Sequence, residues 1–165
     1  MKKLLFIALI LCHNFLHASE NKINLYELYK ELHANPELSY QEFETSEKLA
    51  LILENIGYEV TRNIGGNGVV ALLQNGEGKT VMLRADMDGL PVEEKTGASY
   101  ASTKKSVNAE GKEVFTMHAC GHDVHMSVLI GAAEYLFNNQ SQWQGNLLLI
   151  LEPAEEVSGG ARNMI

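Results

Sequence analysis

Three short segments of the sequence hold the side chains that could bind a metal ion or move protons. They read Ala-Asp-Met-Asp-Gly, Met-His-Ala-Cys-Gly-His-Asp-Val-His and Glu-Pro-Ala-Glu-Glu. Thiolate and imidazole are donors that a divalent ion such as zinc selects, and a hydrolytic metal centre also needs one unbound carboxylate to take a proton from water. The candidate residues are Asp86, Asp88, Cys120, His122, Glu155 and Glu156.

Each segment also has a simpler interpretation. Two aspartates after a strand are more often turn or cap residues than catalysts, and paired glutamates are usually only solvated. Cys120 and His122 could form a thiolate nucleophile and its base, although residues two apart on a strand or turn rarely contact each other in that way. Thiolate, imidazole and several carboxylates at one predicted edge together favour a hydrolytic metal centre.

The sequence around these segments predicts helices that alternate with strands. Apolar residues at helical spacing predict helices that cover about 23–32, 39–56 and 123–138, the second opening on the capping box Ser-Tyr-Gln-Glu at 39–42. Short β-type runs lie at 58–61, 69–73 and 80–84, and the continuous apolar run at 147–151 is typical of a strand buried on both faces. Residues 95–112 are polar and irregular, and we expect them on the surface.

This alternation indicates an α/β fold. Open α/β sheets place their sites at the carboxyl ends of the strands, so the three segments should meet at one edge of the sheet. Asp86 and Asp88 should point to the same side there, because side chains along an extended backbone alternate with period two.

Composition restricts the class of protein. The chain has 165 residues, 45% of them apolar, which allows one globular domain. It carries 13 Lys and Arg against 21 Asp and Glu, a formal charge of −8. This acidic balance argues against nucleic acid as a partner, because such a partner is held by neutralised phosphates.

Residues 1–18 have the order of a secretory signal peptide: a basic start, a short apolar core and Ala18 before the cut. The apolar core is too short for a permanent membrane anchor, which needs about 20 residues. We therefore expect cleavage after Ala18, a mature chain of residues 19–165, no membrane association afterwards, and a periplasmic or secreted location. Cys12 would leave with the signal, so Cys120 could not form an internal disulfide.

Four motifs in order resemble the aminoacylase/carboxypeptidase-type dinuclear metallohydrolases. They are His-Ala-Asn-Pro-Glu-Leu-Ser at 33–39, Leu-Arg-Ala-Asp-Met-Asp at 83–88, Met-His-Ala-Cys-Gly-His-Asp at 117–123 and Glu-Pro-Ala-Glu-Glu at 152–156. They are most similar to the amidohydrolase branch with hippurate hydrolase, N-acyl-amino-acid amidohydrolases and auxin-conjugate hydrolases. The resemblance implies a zinc-peptidase-like mixed sheet flanked by helices, with two divalent metal ions (Zn, Mn or Co).

The resemblance also implies roles for individual residues. Cys120, His122 and Glu156 would be metal ligands, and Glu155 would be the general base and acid. Asp86 and Asp88 fall where related branches carry a His ligand and an Asp that orients a metal-bound imidazole, so we interpret them as supporting residues.

The implied function is metal-dependent hydrolysis of amide bonds in N-acyl amino acids or short peptides, which makes a small molecule the expected partner. Family members are more than twice this long and take two further His ligands from beyond the glutamate pair. We therefore expect the N-terminal part of the catalytic domain, without the lid or dimerisation domain through which the full-length protein could form a homodimer. Glu152 stands where the family usually has Gln.

Two other functions stay open. One is a non-catalytic metal-binding remnant or pseudogene product. An in-frame continuation after Ile165 with two more histidines would argue against it. The other is a thiol hydrolase that uses Cys120 and His122, which insensitivity to chelators would favour.

Overall fold

The computed structural model describes residues 22–165, so the predicted signal peptide lies outside the described residues. Helices α1 (Leu25–Ala34) and α2 (Phe43–Ile56) come first, followed by strands β1 (Glu59–Ile64), β2 (Gly68–Asn75), β3 (Thr80–Asp86), β4 (Lys105–Val107) and β5 (Glu113–Phe115). Helix α3 (His122–Asn138), strand β6 (Gly145–Glu152) and the short helix α4 (Gly160–Met164) complete the described part of the chain. Within it, no helix is long and apolar enough to cross a membrane.

The main sheet is mixed, as predicted. Its strand order is β1-β2-β6-β3, in which β3 runs parallel to β6 and the other neighbours are antiparallel. In the parallel pair Asp86 lies opposite Glu152. The carboxyl ends of β3 and β6 therefore meet at one edge, which brings the first and third candidate segments together.

The hydrophobic core lies between this sheet and helices α2 and α3. Leu49 and Leu53 of α2 pack there with Met126 and Ile130 of α3, and all four are fully buried. Gly57 ends α2, with a φ of 122° that favours glycine.

Strand β6 is buried on one face only, which corrects the prediction of burial on both. Its residues alternate between buried and half-buried, with Leu149 in the core and Leu148 on the opposite face. Among the described residues, helices α2 and α3 cover one face of the sheet and leave the other partly open. An unbroken apolar run shows that a strand is apolar on both sides, but not what covers each side.

The predicted capping box does not form. The Ser39 hydroxyl donates instead to Asp88 Oδ2 at 2.6 Å, and α2 begins only at Phe43. The Glu37 carboxylate caps α2 in place of Ser39, because it accepts the first-turn N–H groups of Glu44 and Thr45 at 3.2 and 2.8 Å. A buried aspartate is a charged acceptor, and charged acceptors make stronger hydrogen bonds than neutral ones, so tertiary packing outweighs the local motif.

The segment predicted to be irregular contains a small hairpin of β4 and β5. It lies on the surface as expected, since Val107 is 57% exposed. Asn108 and Gly111 make the turn: the Asn108 side chain accepts the Lys112 N–H at 2.9 Å, and Gly111 adopts a φ of 75°. Lys-Ser-Val and Glu-Val-Phe are too short to give a clear strand signal in sequence.

A buried histidine ties α1 to the start of α3. His33 Nδ1 lies 2.6 Å from Asp123 Oδ2, and His33 Nε2 lies 3.0 Å from Glu94 Oε1. Burial opposes a charge on this ring, but the hydrogen bonds to Glu94 and Asp123 outweigh it and raise the pKa of His33 above its ordinary value. The contact fixes the first turn of α3, where His122 lies.

Candidate metal centre

Three backbone segments converge beyond the carboxyl ends of β3 and β6. Asp86 is the last residue of β3, and His122 is the first residue of α3. Glu155 and Glu156 lie in a short 3-10 turn after β6. Gly121, before His122, has a φ of 81°, so the chain turns sharply into α3 at a position that favours glycine.

His122 is the centre of the cluster. Its Nδ1 lies 2.8 Å from the backbone oxygen of Asp88, so Nδ1–H donates there and leaves the Nε2 lone pair free in the neutral ring. Nε2 faces Asp86 Oδ2 at 3.8 Å, Glu155 Oε2 at 3.6 Å and Glu156 Oε1 at 3.8 Å. Burial opposes a charge, but the hydrogen bonds to Asp88 and the charges of Asp86 and Asp88 raise the pKa of His122 to about 9. The site thus favours a positive charge at Nε2.

Asp88 anchors both glutamates through their backbone. Its Oδ1 accepts the Glu155 N–H and its Oδ2 accepts the Glu156 N–H, each at 3.1 Å, and Oδ2 also accepts the Ser39 hydroxyl. Burial alone would raise the pKa of Asp88, but the nearby His122 and the hydrogen bonds from Ser39 and the Glu156 N–H lower it. Both carboxylate oxygens have protein donors, so Asp88 holds the backbone of the site in place.

The donor atoms fit a divalent cation. Two overlapping groups, one of Asp86, His122 and His125 and one of His122, Glu155 and Glu156, each have their candidate ligand atoms within 4.8 Å of one another. Glu156 Oε1 is buried and has no hydrogen-bond partner among residues 22–165. A buried carboxylate oxygen without a donor is costly unless a cation neutralises it, so its place beside Nε2 suits a metal ion.

The two adjacent glutamates differ in exposure. The Glu156 side chain is 15% exposed and the Glu155 side chain 39% exposed. Because Asp88 holds both backbones, the difference lies in the direction of the side chains. Glu156 points inwards, and Glu155 is open to solvent.

Arg84 neutralises the acidic residues where the strands end. Its guanidinium bonds to Glu152 and lies 2.5 Å from Asp86 Oδ1. Glu152 is buried and stands where the resemblance predicts glutamine. It also accepts the Ala161 N–H at 2.8 Å. The extra charge at position 152 is therefore paired with Arg84, and Asp86 Oδ2 is left facing His122.

Cys120 is exposed and lies outside both groups of candidate ligands. The neighbouring Glu156 carboxylate, with the surrounding acidic charges, raises the pKa of the thiol. Neighbours that hold a thiol protonated do not activate it as a nucleophile. His122, the base that a thiol hydrolase would need, is directed to Asp88 and the carboxylates instead.

His125 was not among the predicted site residues. It lies one turn after His122 on α3, its Nδ1 is 3.4 Å from Asp86 Oδ2, and its ring stacks on that of His122 at 5.8 Å between centroids. Two histidines at i and i+3 of a predicted helix could have indicated a shared face. His118, from the same motif, is buried, and burial lowers its pKa to about 4, so its ring is neutral.

Comparisons with known proteins agree with this geometry. The model of peptidase family M20/M25/M40 matches residues 82–165. Hippurate hydrolase from Campylobacter jejuni is 44% identical over 136 residues, which are 82% of this chain and 33% of that protein. N-acetyl-L-cysteine deacetylase from Bacillus subtilis is 40% identical over 158 residues, 91% of this chain and 36% of that protein.

A solved structure from Bacillus subtilis, described as a dinuclear metal binding peptidase from the M20 family, has a TM-score of 0.74 and 36% identity. The match covers 84% of this chain and 37% of that one, and the chain spans about a third of the length of the curated relatives that it matches. The family model covers about half of the chain and contains all three segments of the candidate centre. The chain therefore belongs to peptidase family M20/M25/M40.

Proposed function

We propose that the protein is a metal-dependent amidohydrolase that cleaves the amide bond of N-acyl amino acids or short peptides. The observation that carries this proposal is the arrangement of Glu155 and Glu156 around His122 Nε2. Glu156 Oε1 is buried and has no hydrogen-bond donor among residues 22–165, and the neighbouring Glu155 is more exposed and held by the same aspartate.

His122 Nε2 and Glu156 Oε1 would hold a divalent ion, with Cys120 as a third ligand beside Glu156 and Asp86 in support. Two divalent ions of the Zn, Mn or Co type are what the family resemblance implies, and the two overlapping donor groups support more than one position. When bound, such ions polarise the scissile carbonyl and lower the pKa of water towards neutrality. Coordination would keep the Cys120 thiol as thiolate despite its acidic neighbours.

Glu155 would be the proton carrier. Its carboxylate takes a proton from the attacking water and returns it to the nitrogen of the departing amine. Its exposure leaves room for a substrate. Asp88 fixes the backbone of Glu155, which holds the carboxylate oxygen Oε2 at 3.6 Å from His122 Nε2. Glu156, with its inward side chain, cannot take this role and bind the ion as well.

The substrate class rests on the relatives, whose names specify hippurate and N-acetyl-L-cysteine as substrates. Both are small amino acids with an acylated nitrogen. The family name and the neighbour described as a peptidase support short peptides as the second class.

The test is hydrolysis by the protein expressed from its complete coding sequence. The protein is stripped with a chelator, reloaded with Zn, Mn or Co, and given hippurate, N-acetyl amino acids or a dipeptide, and the free amino acid is measured. We expect no release after chelation and recovery with a divalent ion. Unchanged release after chelation would favour the thiol hydrolase, and metal uptake without release from any substrate would favour the non-catalytic alternative.

We also propose that the protein is exported, on the strength of the order of charge, apolar core and Ala18 in residues 1–18. The mature chain would then begin near Ser19. Sequencing the N-terminus of the exported protein tests this, and a chain that still begins at Met1 would contradict it.

A further inference from the structure

Glu42 is a fully buried carboxylate that joins three separate parts of the chain. It lies just before α2 and is 0% exposed. Its Oε1 accepts the backbone N–H of Tyr40 at 3.0 Å and of Ala154 at 2.7 Å, and its Oε2 accepts the Asn67 side-chain amide at 3.0 Å. Ala154, which is 112 residues away in sequence, directly precedes the glutamate pair.

Burying a carboxylate is costly, so its position calls for a specific role. Burial raises the pKa of Glu42, although the three donors oppose this shift. Glu42 makes no side-chain hydrogen bond that caps α2, and the first turn of that helix is capped by Glu37. The bond of Glu42 to Ala154 is therefore not a by-product of helix capping.

Ala154 has a backbone conformation that needs support. Its φ is 51°, in the left-handed region, which is unfavourable for a residue other than glycine. Its side chain is fully buried, and its carbonyl accepts the N–H groups of Gly159 and Gly160 at 3.1 and 3.3 Å. Both backbone polar groups of Ala154 are thus hydrogen-bonded, the N–H to Glu42 and the carbonyl to Gly159 and Gly160.

Two buried carboxylates hold three consecutive N–H groups. Glu42 accepts the N–H of Ala154, and Asp88 accepts those of Glu155 and Glu156. Asp88 also contacts His122, whereas Glu42 hydrogen-bonds to none of the candidate ligands. The direct link from Glu42 to the glutamate pair is therefore the backbone at Ala154.

We propose that Glu42 is a positioning residue whose carboxylate fixes the left-handed conformation of Ala154 and thereby directs the Glu155 and Glu156 side chains. This inference rests on the proposed function for its kinetic readout. Its structural readout is independent of activity.

The experiment separates the reach of residue 42 from its charge. Glu42→Gln keeps the length and one carbonyl oxygen, which can still accept from Tyr40 and Ala154, while the Asn67 amide can turn to accept from the new NH2 group. Glu42→Asp keeps the charge but is one methylene shorter and cannot span to the Ala154 N–H. Glu37→Gln and Glu37→Asp are the matched controls, since Glu37 is also a buried carboxylate that accepts backbone N–H groups, but at α2.

In the metal-loaded protein, we expect Glu42→Asp to lower kcat by about 10- to 100-fold, the scale for a misplacement near 1 Å. KM should stay near the wild-type value, and Glu42→Gln should retain most of kcat. The Glu37 variants should lower the melting temperature and leave kcat unchanged. A kcat in Glu42→Gln as low as in Glu42→Asp, or an equal loss in Glu37→Asp, would overturn the proposal.

Amide hydrogen exchange provides the structural readout. We expect the Ala154 N–H to exchange at least 10-fold faster in Glu42→Asp than in the wild type or in Glu37→Asp. Unchanged exchange at Ala154 would overturn the positioning role whatever the kinetics. If the wild type hydrolyses none of the substrates, the proposed function fails, and the exchange rates still decide the role of Glu42.

Discussion

Replacing Asp88 by Asn tests how the two glutamates are anchored. The Asp88 carboxylate accepts three hydrogen bonds, from the Ser39 hydroxyl and from the N–H groups of Glu155 and Glu156. Asparagine has the same shape but only one acceptor oxygen. In one orientation its NH2 group meets the Glu155 N–H, and in the other it meets the Glu156 N–H. Either way, one of the two backbone donors loses its acceptor, whereas the Ser39 hydroxyl can turn to accept.

The size of the effect follows from this count. An unsatisfied buried donor costs about 1–3 kcal/mol, and the remaining bonds lose the contribution of a charged acceptor. Since Asp88 is 1% exposed, solvent does not weaken these bonds much. We expect Asp88→Asn to lower the free energy of unfolding by about 2–4 kcal/mol. Ser39→Ala is the matched control, because it removes one bond to the same carboxylate and leaves both backbone bonds intact, at a cost of about 1 kcal/mol.

The assay is urea unfolding of the metal-free protein at neutral pH, followed by circular dichroism, for the wild type and both variants. Metal content and turnover of the reloaded proteins are measured in parallel. We expect Asp88→Asn to lower kcat by at least about 10-fold, because one glutamate is no longer held, and Ser39→Ala to have a small effect. If Asp88→Asn were no less stable than Ser39→Ala, the anchoring argument would be refuted.

Three further predictions concern the ligands, the proton carrier and a buried histidine. Glu155→Gln should lower turnover at least about 10²-fold with unchanged metal content, whereas Glu156→Gln should lose metal and activity together; the reverse pattern would exchange the two roles. Cys120→Ala should lower the bound metal found by elemental analysis and leave the fold intact, and unchanged stoichiometry would argue against a ligand role. The pKa of His33 is raised in the folded state, so its charged form stabilises the fold fully below about pH 6.5, and this contribution is lost as the pH rises through the folded pKa. The stability difference between the wild type and His33→Gln should therefore be largest at low pH and shrink above neutrality, and a difference independent of pH in urea unfolding would contradict this.

The main elements and several residues of the site could be predicted from sequence, although His125 was missed and Cys120 lies outside both groups of candidate ligands. Apolar spacing located α1, α2 and α3 to within a few residues, because helix packing needs one apolar stripe whatever its partner. The two acidic motifs come directly after β3 and β6, and these parallel strands bring their carboxyl ends to one edge, which the His122 motif reaches at the start of α3. His122, Glu155, Glu156 and Asp86 are together for that reason.

Only the tertiary structure shows which of these residues hold the backbone in place and which face His122. Asp86 and Asp88 look equivalent in sequence, yet Asp88 accepts three bonds and Asp86 faces His122 with Oδ2. Ser39 and Glu42 read as a local capping box, but Ser39 binds Asp88 and Glu42 also binds Ala154.

The physical reason is the range of the interactions. The spacing of apolar residues and the residue types that favour turns act over a few neighbouring residues, so the sequence shows them directly. A buried carboxylate instead takes the strongest donors that packing brings to it, and those donors lie 49 residues away for Asp88 and 112 for Glu42. The sequence by itself determined that the acidic motifs and the His122 motif meet at the carboxyl edge of the sheet. Only the packing of α2, β3 and β6 decided which side chains of these motifs hold the backbone and which stay free to bind.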